Sequence, residues 1–318
     1  MTKIVSFFLG ILYAISTAFS FVPRTVWFGN ETYSPAEPES CLFDVVLIAD
    51  VHSDSDYFND RSKTIRKLLC GISQADSIPD ALVIAGDLSN ATDKKEYGML
   101  RWSLETFNKI PSVIPAVGNH DTRASDTYEE ARTLFCDFAA DCDIETDTVY
   151  YSTSVNGYPF IVLGSEAQHR LDAEISPVQL MWFEEQLQNA LKTEKPVFIV
   201  SHQPLYNSNN VFFNDETDEN YGIGEQSAEI EEILRKYVPG YDQPVFFISG
   251  HLHRDYNDYS VDTSFCNNLY CVNIPSAVKT GDGGLGMALE VYPGKIILRA
   301  RNYITAEWLD KYAYTFDY

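Results

Sequence analysis

The chain has 318 residues, 45% of them hydrophobic, and a formal net charge of −23. That length can hold one large domain or two, and the apolar content suffices for a sizeable core. So acidic a chain argues against a polynucleotide partner, whose phosphates need basic surfaces. It also leaves the positive charge for any anionic ligand to a local site, most simply bound metal.

Lys3 precedes an uncharged apolar run from Ile4 to Val22, and Ala18 and Ser20 form an A-x-S pattern suited to cleavage after Ser20. That is the form of a secretory signal peptide over residues 1–20. The alternative is an uncleaved membrane anchor, because the run nearly reaches the ~20 residues that span a bilayer. Residues 21–40, rich in Pro, Glu and Ser, read as an irregular lead-in to one domain over 41–318.

Leu42 to Ala49 is nearly all apolar and predicts a strand buried on both faces, ending at Asp50. Lys63 to Ile72 has helical spacing, and Ala81 to Ala85 predicts a second buried strand ending at Gly86-Asp87. A helix follows over Lys94 to Asn108, with Thr92 or Asp93 as N-cap. Val113 to Val117 is the third strand, and Ser125 to Phe138 has a helical pattern. Val149 to Val155 and Pro159 to Leu163 flank Asn156-Gly157, a strong hairpin signal. Ser176-Pro177 opens a helix to about Lys192. Val197 to Val200 is a strand ending at Ser201-His202, followed by a polar loop over 207–224. A helix over Ala228 to Tyr237 leads to a strand over Val245 to Ile248 and then to Gly250-His251-Leu252-His253. From Tyr256 to about Tyr303 the pattern is mostly strand, with a turn at Pro293-Gly294. Helices and strands alternate first and strands dominate the end, which predicts an α/β core of two face-to-face sheets with helices outside.

Six cysteines in an exported chain predict disulfides. Cys136 and Cys142 are near in sequence, as are Cys266 and Cys271, which leaves Cys41 for Cys70; 15 connectivities are open in principle. Asn30-Glu31-Thr32 and Asn90-Ala91-Thr92 have the form of glycosylation sequons.

Five of the six histidines fall just after apolar strands, beside other metal-type ligands. The stretches are Asp50-Val51-His52, Gly86-Asp87, Gly118-Asn119-His120-Asp121, His202 and Gly250-His251-Leu252-His253. Singly they are weak, since a lone histidine has many roles. Gly-His-x-His is stronger, because alternate side chains of an extended segment share a face. Open α/β sheets place their sites at the carboxyl ends of strands, where all five stretches lie.

In that order the chain resembles the calcineurin-like metallophosphoesterase superfamily, whose pattern is D-x-H, G-D, G-N-H-[D/E], H, G-H-x-H. The likeness runs from Asp50 to His253. It implies a four-layer αββα sandwich of two mixed sheets with flanking helices. It implies two divalent or trivalent metal ions, one held by Asp50, His52, Asp87 and His253, the other by Asp87, Asn119, His202 and His251. Asp87 would bridge them. His120 would sit over the leaving group without ligating metal, with Asp121 orienting it. Oxygen and imidazole ligands without sulfur suit Mn, Fe, Zn or Co and do not select among them. Two such ions stabilise the attacking and leaving oxygens of an in-line displacement.

Purple acid phosphatases have D-x-G and G-D-x-x-Y; His52 and Asn90 stand at the glycine and tyrosine positions here, which excludes that subclass. Arg123 gives G-N-H-D-x-R, which resembles cyclic-nucleotide phosphodiesterases, and its planar fork suits a phosphate oxygen. The plainer reading is a surface pair with Asp126 or Glu129. Tyr206 and the 207–224 loop read as a solvated loop, with a pocket floor as the alternative, and His169 is left outside the site. The whole implies an exported phosphoesterase acting on small organic phosphodiesters or phosphomonoesters by attack of a metal-bound hydroxide. No nucleic-acid partner is expected. The rival is an inactive binding protein with the same fold, which would lack ligands or His120.

Overall fold

The computed structural model describes residues 32–212, 221–278 and 283–318. The signal-peptide reading and the Asn30 sequon lie outside the described residues, as does part of the 207–224 loop.

The first sheet has the order β12-β11-β10-β1-β2-β3. It is built from β1 (Phe43–Ile48), β2 (Ala81–Ile84) and β3 (Ser112–Pro115), which are parallel, and from β10 (Leu285–Tyr292), β11 (Lys295–Asn302) and β12 (Glu307–Asp317), which add antiparallel beside β1. The second has the order β4-β5-β6-β7-β9-β8. Here β5 (Tyr158–Val162), β6 (Val197–Val200), β7 (Val245–Ser249) and β9 (Leu269–Asn273) are parallel, and β4 (Tyr151–Val155) and β8 (Val261–Cys266) are antiparallel edges. Both sheets are mixed. The strands β1, β2, β6 and β7, apolar apart from Asp44 and Ser249, are buried along their full length, as central strands must be.

Alternation within β5, β6 and β7 separates two cores. Phe160, Phe198 and Phe246 face the first sheet and stack across their own sheet at 4.8 and 5.9 Å. Ile161, Ile199 and Phe247 face the other way, onto Phe183 and Leu187 of α4 (Pro177–Leu191) and Ile230 and Leu234 of α5 (Ser227–Tyr237). The first sheet is covered by α1 (Asp60–Ser73), α2 (Lys94–Phe107) and α3 (Tyr128–Asp141), through Leu68, Leu100 and Phe135 among others. The layers are therefore αββα, as expected.

Three details differ from the sequence reading. α1 begins at Asp60 because the Asn59 side chain accepts the Arg61 amide and caps it. The carboxy-terminal strands continue to Asp317, well past Tyr303. All six cysteines are free thiols. Cys136 lies inside α3 and Cys142 is its C-cap, so six residues of helical rise set them about 9 Å apart along the axis, beyond disulfide reach. The Cys41 thiol donates to the Phe43 carbonyl at 3.6 Å.

Candidate metal centre

β1, β2 and β3 lie side by side, and so do β6 and β7 in the facing sheet. Their carboxyl ends meet, and each carries one ligand stretch. One contact joins neighbouring strand ends of the second sheet and another crosses between the sheets. The Gly250 amide donates to the His202 carbonyl at 2.9 Å, and the His251 amide donates to Asp50 Oδ2 at 3.0 Å.

The chain turns sharply at these ends. Asp50, His52, Asp87, His251 and His253 all have positive φ, between 41° and 73°. Side chains adopt that region rarely, at a cost of about 1–3 kcal/mol each. Strain at five neighbouring ligand positions is the mark of a site whose geometry the rest of the fold enforces.

Asp50, His52, Asp87 and His253 bring ligand atoms within 4.8 Å of one another. His253 Nε2 is 2.8 Å from Asp50 Oδ1 and 3.0 Å from His52 Nε2. Asp87 Oδ2 lies 3.3 Å from His52 Nε2, and Asp87 Oδ1 lies 3.3 Å from His202 Nε2. Around His202 Nε2 gather Asn119 Oδ1 at 3.2 Å and His251 Nδ1 at 3.2 Å. Asp87 thus lies between the two groups, with one oxygen turned to each.

The neighbours fix which atoms face inward. His202 Nδ1–H donates to the Ala85 carbonyl at 2.9 Å, which leaves Nε2 bare toward the centre. Asn119 Nδ2 donates to the Arg170 carbonyl at 2.7 Å, which points Oδ1 at the centre. Lone pair therefore faces lone pair between His202 Nε2 and Asn119 Oδ1 at 3.2 Å, an arrangement that suits a cation between them. Without metal, a proton takes that place. Burial opposes it, but His202, His52 and His120 hold the Asp87 carboxyl well below its usual range. Burial alone would lower His202, yet Asp87 and Asp50 outweigh it and lift it to about 9. Burial and the neighbouring His202 press His251 well below its ordinary value. This donor set of imidazoles, carboxylates and one amide oxygen fits two hard or borderline ions.

His120 lies beside the centre. Its amide donates to Asp87 Oδ1 at 2.9 Å, and its ring stands edge-on to His52 at 4.5 Å. Its Nδ1 is 2.6 Å from the Asn90 carbonyl, which can only accept, so Nδ1 carries the proton. Its Nε2 is 2.6 Å from an Arg123 guanidinium nitrogen, which can only donate. Asp121, expected to orient His120, has main-chain partners. Its carboxylate is fully buried and accepts the amides of Ser89 (2.7 Å), Gly118 (2.8 Å) and Leu88 (2.9 Å) and the Ser89 hydroxyl (2.9 Å). It ties the Gly86-Asp87 turn to the Gly118-Asn119 turn, while the Asn90 carbonyl orients His120.

Arg123 is exposed at the mouth and faces His120 and the Arg170 carbonyl. Glu129, the suggested surface partner, is taken by Arg132. His169 pairs with Asp172 and Glu174 of its own loop. Tyr206 is buried beneath Gly222, and Tyr221 packs its ring 6.0 Å from His251. The Asn90 sequon sits inside this network, with its side chain bound by Arg61, so a glycan there would displace the turn that holds His120. Sequence reasoning missed Ala85, Asn90 and Arg170 because they act through carbonyls, which leave no signature in side-chain identity.

Residues 43–255 match the family model for calcineurin-like phosphoesterases. A probable cyclic nucleotide phosphodiesterase of Rhodococcus erythropolis is 31% identical over 147 residues, 46% of this chain and 45% of that protein. The match thus spans under half of that relative. A probable glycerophosphodiester phosphodiesterase, GpdQ, of Arcobacter nitrofigilis is 24% identical over 73% of this chain and 77% of its own. Among solved structures, a dimetal phosphatase from Danio rerio is similar, with a TM-score of 0.57 at 13% identity over 87% of this chain and 99% of that one. So is a purple acid phosphatase of yellow lupin, with a TM-score of 0.58 at 15% identity over 90% of this chain and 55% of that one. At such identities the structural likeness speaks to fold alone. The chain belongs to the calcineurin-like phosphoesterase family.

Proposed function

We propose that this protein hydrolyses small organic phosphodiesters, with phosphomonoesters as slower substrates, at a centre of two metal ions. The observation that carries the reading is Asp87, one oxygen toward His52 and the other toward His202, with His120 and Arg123 alongside. One ion would be held by Asp50, His52, Asp87 and His253, the second by Asp87, Asn119, His202 and His251. When bound, the ions supply Lewis acidity toward phosphoryl oxygens and an acidified water.

The protein's own residues do the rest. Water supplies the entering oxygen, and the P–O bond to the leaving group breaks with its electron pair on the leaving oxygen. His120 takes up a proton from solvent at Nε2 once Arg123 turns away, delivers it to that oxygen, and is restored by the proton the attacking water releases, a contribution of ~100-fold or more. Arg123 turns its fork from the imidazole to a phosphate oxygen as substrate enters. A diester keeps one negative charge and a second ester arm, which suits a mouth with one arginine beside the acid. The names of the Rhodococcus and Arcobacter relatives support the same preference.

The test compares bis-p-nitrophenyl phosphate with p-nitrophenyl phosphate, on protein reconstituted with Mn and on chelated protein. Faster, metal-dependent cleavage of the diester is expected. Faster cleavage of the monoester would make the protein a phosphatase and remove the role given to Arg123. No metal-dependent turnover of either would favour an inactive binding protein.

Export is part of the same proposal and rests on Lys3, the Ile4–Val22 run and the Ala18/Ser20 pattern. Amino-terminal sequencing of the mature protein should begin at Phe21; a start at Met1 would overturn it. In an oxidising compartment we pair Cys266 with Cys271, which share one face of the β8–β9 hairpin and would need a small backbone shift to join.

A further inference from the structure

We propose that Glu96, seconded by Arg61, is the positioning residue for His120. The inference rests on the reading of His120 as the group that protonates the leaving oxygen.

Glu96 is the third residue of α2 and is 7% exposed. A carboxylate in a first helical turn ordinarily serves its own helix, by favouring the dipole or closing a capping box. Here that work is done elsewhere. Asp93 caps α2 by accepting the Lys95 amide at 2.7 Å. Glu96 Oε2 reaches out of the helix instead and accepts the amides of Asn90 at 3.0 Å and Ala91 at 2.7 Å. Its carbonyl accepts the Ser53 hydroxyl at 3.0 Å, which joins the same corner to the Asp50-Val51-His52 turn.

The turn so held is the one that aims His120. The Asn90 carbonyl accepts His120 Nδ1–H, and the Asn90 side-chain oxygen accepts from Arg61 at the start of α1. Thr92 Oγ1 donates to the His120 carbonyl at 2.9 Å, and Thr92 itself has φ 52°. Two helices therefore grip one peptide. Glu96 holds its amide, Arg61 holds its side chain, and its carbonyl sets the tautomer and the ring direction. The Ser53 carbonyl shares the Asn90 amide at 3.2 Å, and the Ala91 amide rests on Glu96 at 2.7 Å, so Glu96 completes the anchoring of the turn. Displacing the His120 acid by about 1 Å can cost ~100-fold in rate.

A proton donor matters only when the leaving oxygen needs a proton. The experiment therefore compares two diesters on full-length, Mn-reconstituted protein: bis-p-nitrophenyl phosphate, whose nitrophenolate departs unprotonated, and glycerophosphocholine, which releases an alkoxide. His120→Ala is the control and should lose ~100-fold in kcat on the second and far less on the first. Glu96→Ala should show the same pattern at ~10-fold, with KM unchanged and two metal ions retained. Glu96→Gln keeps an acceptor oxygen and should stay within about threefold of wild type on both. Arg61→Ala, which removes only the grip on the Asn90 side chain, should show the pattern weakly. In the Zn-loaded full chain, the His120 Nδ1–H proton signal should persist in Glu96→Gln and be lost in Glu96→Ala.

Equal losses on both diesters, loss of metal in Glu96→Ala, or a Gln variant as poor as the Ala variant would make Glu96 a structural residue and overturn the proposal. If Glu96→Ala does not fold, an Arg61→Ala variant with no leaving-group preference overturns it equally. A His120→Ala control without that preference would instead overturn the role of His120, which separates the two failures.

Discussion

Gly86 makes room for the ring of His202. A methyl group on its α-carbon would lie 2.4 Å from His202 Nδ1, and its φ is 83°. The β2 end thus passes so close to the β6 end that only a hydrogen fits between them. Gly86→Ala should push the imidazole off the Ala85 carbonyl and away from Asn119 and His251. The backbone conformation alone adds about 1–3 kcal/mol. The expected result is loss of the metal held by the His202 group before the other, read as about one ion per chain by elemental analysis. Two ions with full turnover would show that the ring can shift without consequence.

Asp87 is placed to serve both halves of the centre at once. Asp87→Asn removes one negative charge and one acceptor from between His52 and His202. Both ions should be lost together, while an Asn119→Ala variant should lose chiefly one. Elemental analysis after dialysis checks this. Two ions remaining in Asp87→Asn would mean that Asp87 does not bridge.

Asp121 predicts a loss of a different kind. Its carboxylate accepts three buried main-chain amides, from Leu88, Ser89 and Gly118. Asp121→Ala would leave all three without an acceptor, at about 1–3 kcal/mol each. Denaturant unfolding of the metal-free protein should show a fall of ~3 kcal/mol or more. A catalytic partner of His120 would instead lower turnover and leave stability intact, so unchanged stability would restore the role that the sequence suggested.

The ligands were legible in the sequence because chemistry constrains their side chains. A metal asks for imidazole and carboxylate, and strand ends deliver them in a fixed order. The sheets were legible for a similar reason, since the runs of β1, β2, β6 and β7, apolar but for Asp44 and Ser249, leave no polar face. What stayed hidden works through the main chain or across long separations. The Asn90 carbonyl could belong to any residue, and Glu96 looks like an ordinary helix-start acid until its oxygens are traced to another turn. Asp121 adjoins His120 in sequence, yet a tight turn sends the two side chains to different partners. Nearness in sequence misled again at Cys136 and Cys142, which helical rise keeps apart.

Asp44 gives a pH dependence away from the metal centre. It lies in β1, and its carboxylate accepts the Tyr33 hydroxyl at 2.8 Å and the Asp80 amide at 3.3 Å. Burial lifts its carboxyl to about 6; the Tyr33 hydrogen bond opposes that, and the nearby Asp80 charge adds to it. The ordinary aspartate value is near 4. Between those values the folded protein holds a proton that the unfolded chain has released. The stabilising contribution is thus complete below pH ~4 and is lost as the pH rises through about 6. Above that, ionised Asp44 burdens the fold by on the order of 1–2 kcal/mol, reduced from the full shift because the site is not wholly sealed. Asp44→Asn keeps an acceptor for Tyr33 and removes the charge. Its unfolding free energy should match the wild type near pH 4 and exceed it near pH 7, with the difference opening between the two. A gap that is constant with pH would show that Asp44 is ionised throughout, and that Tyr33 and the Asp80 amide hold the charge after all.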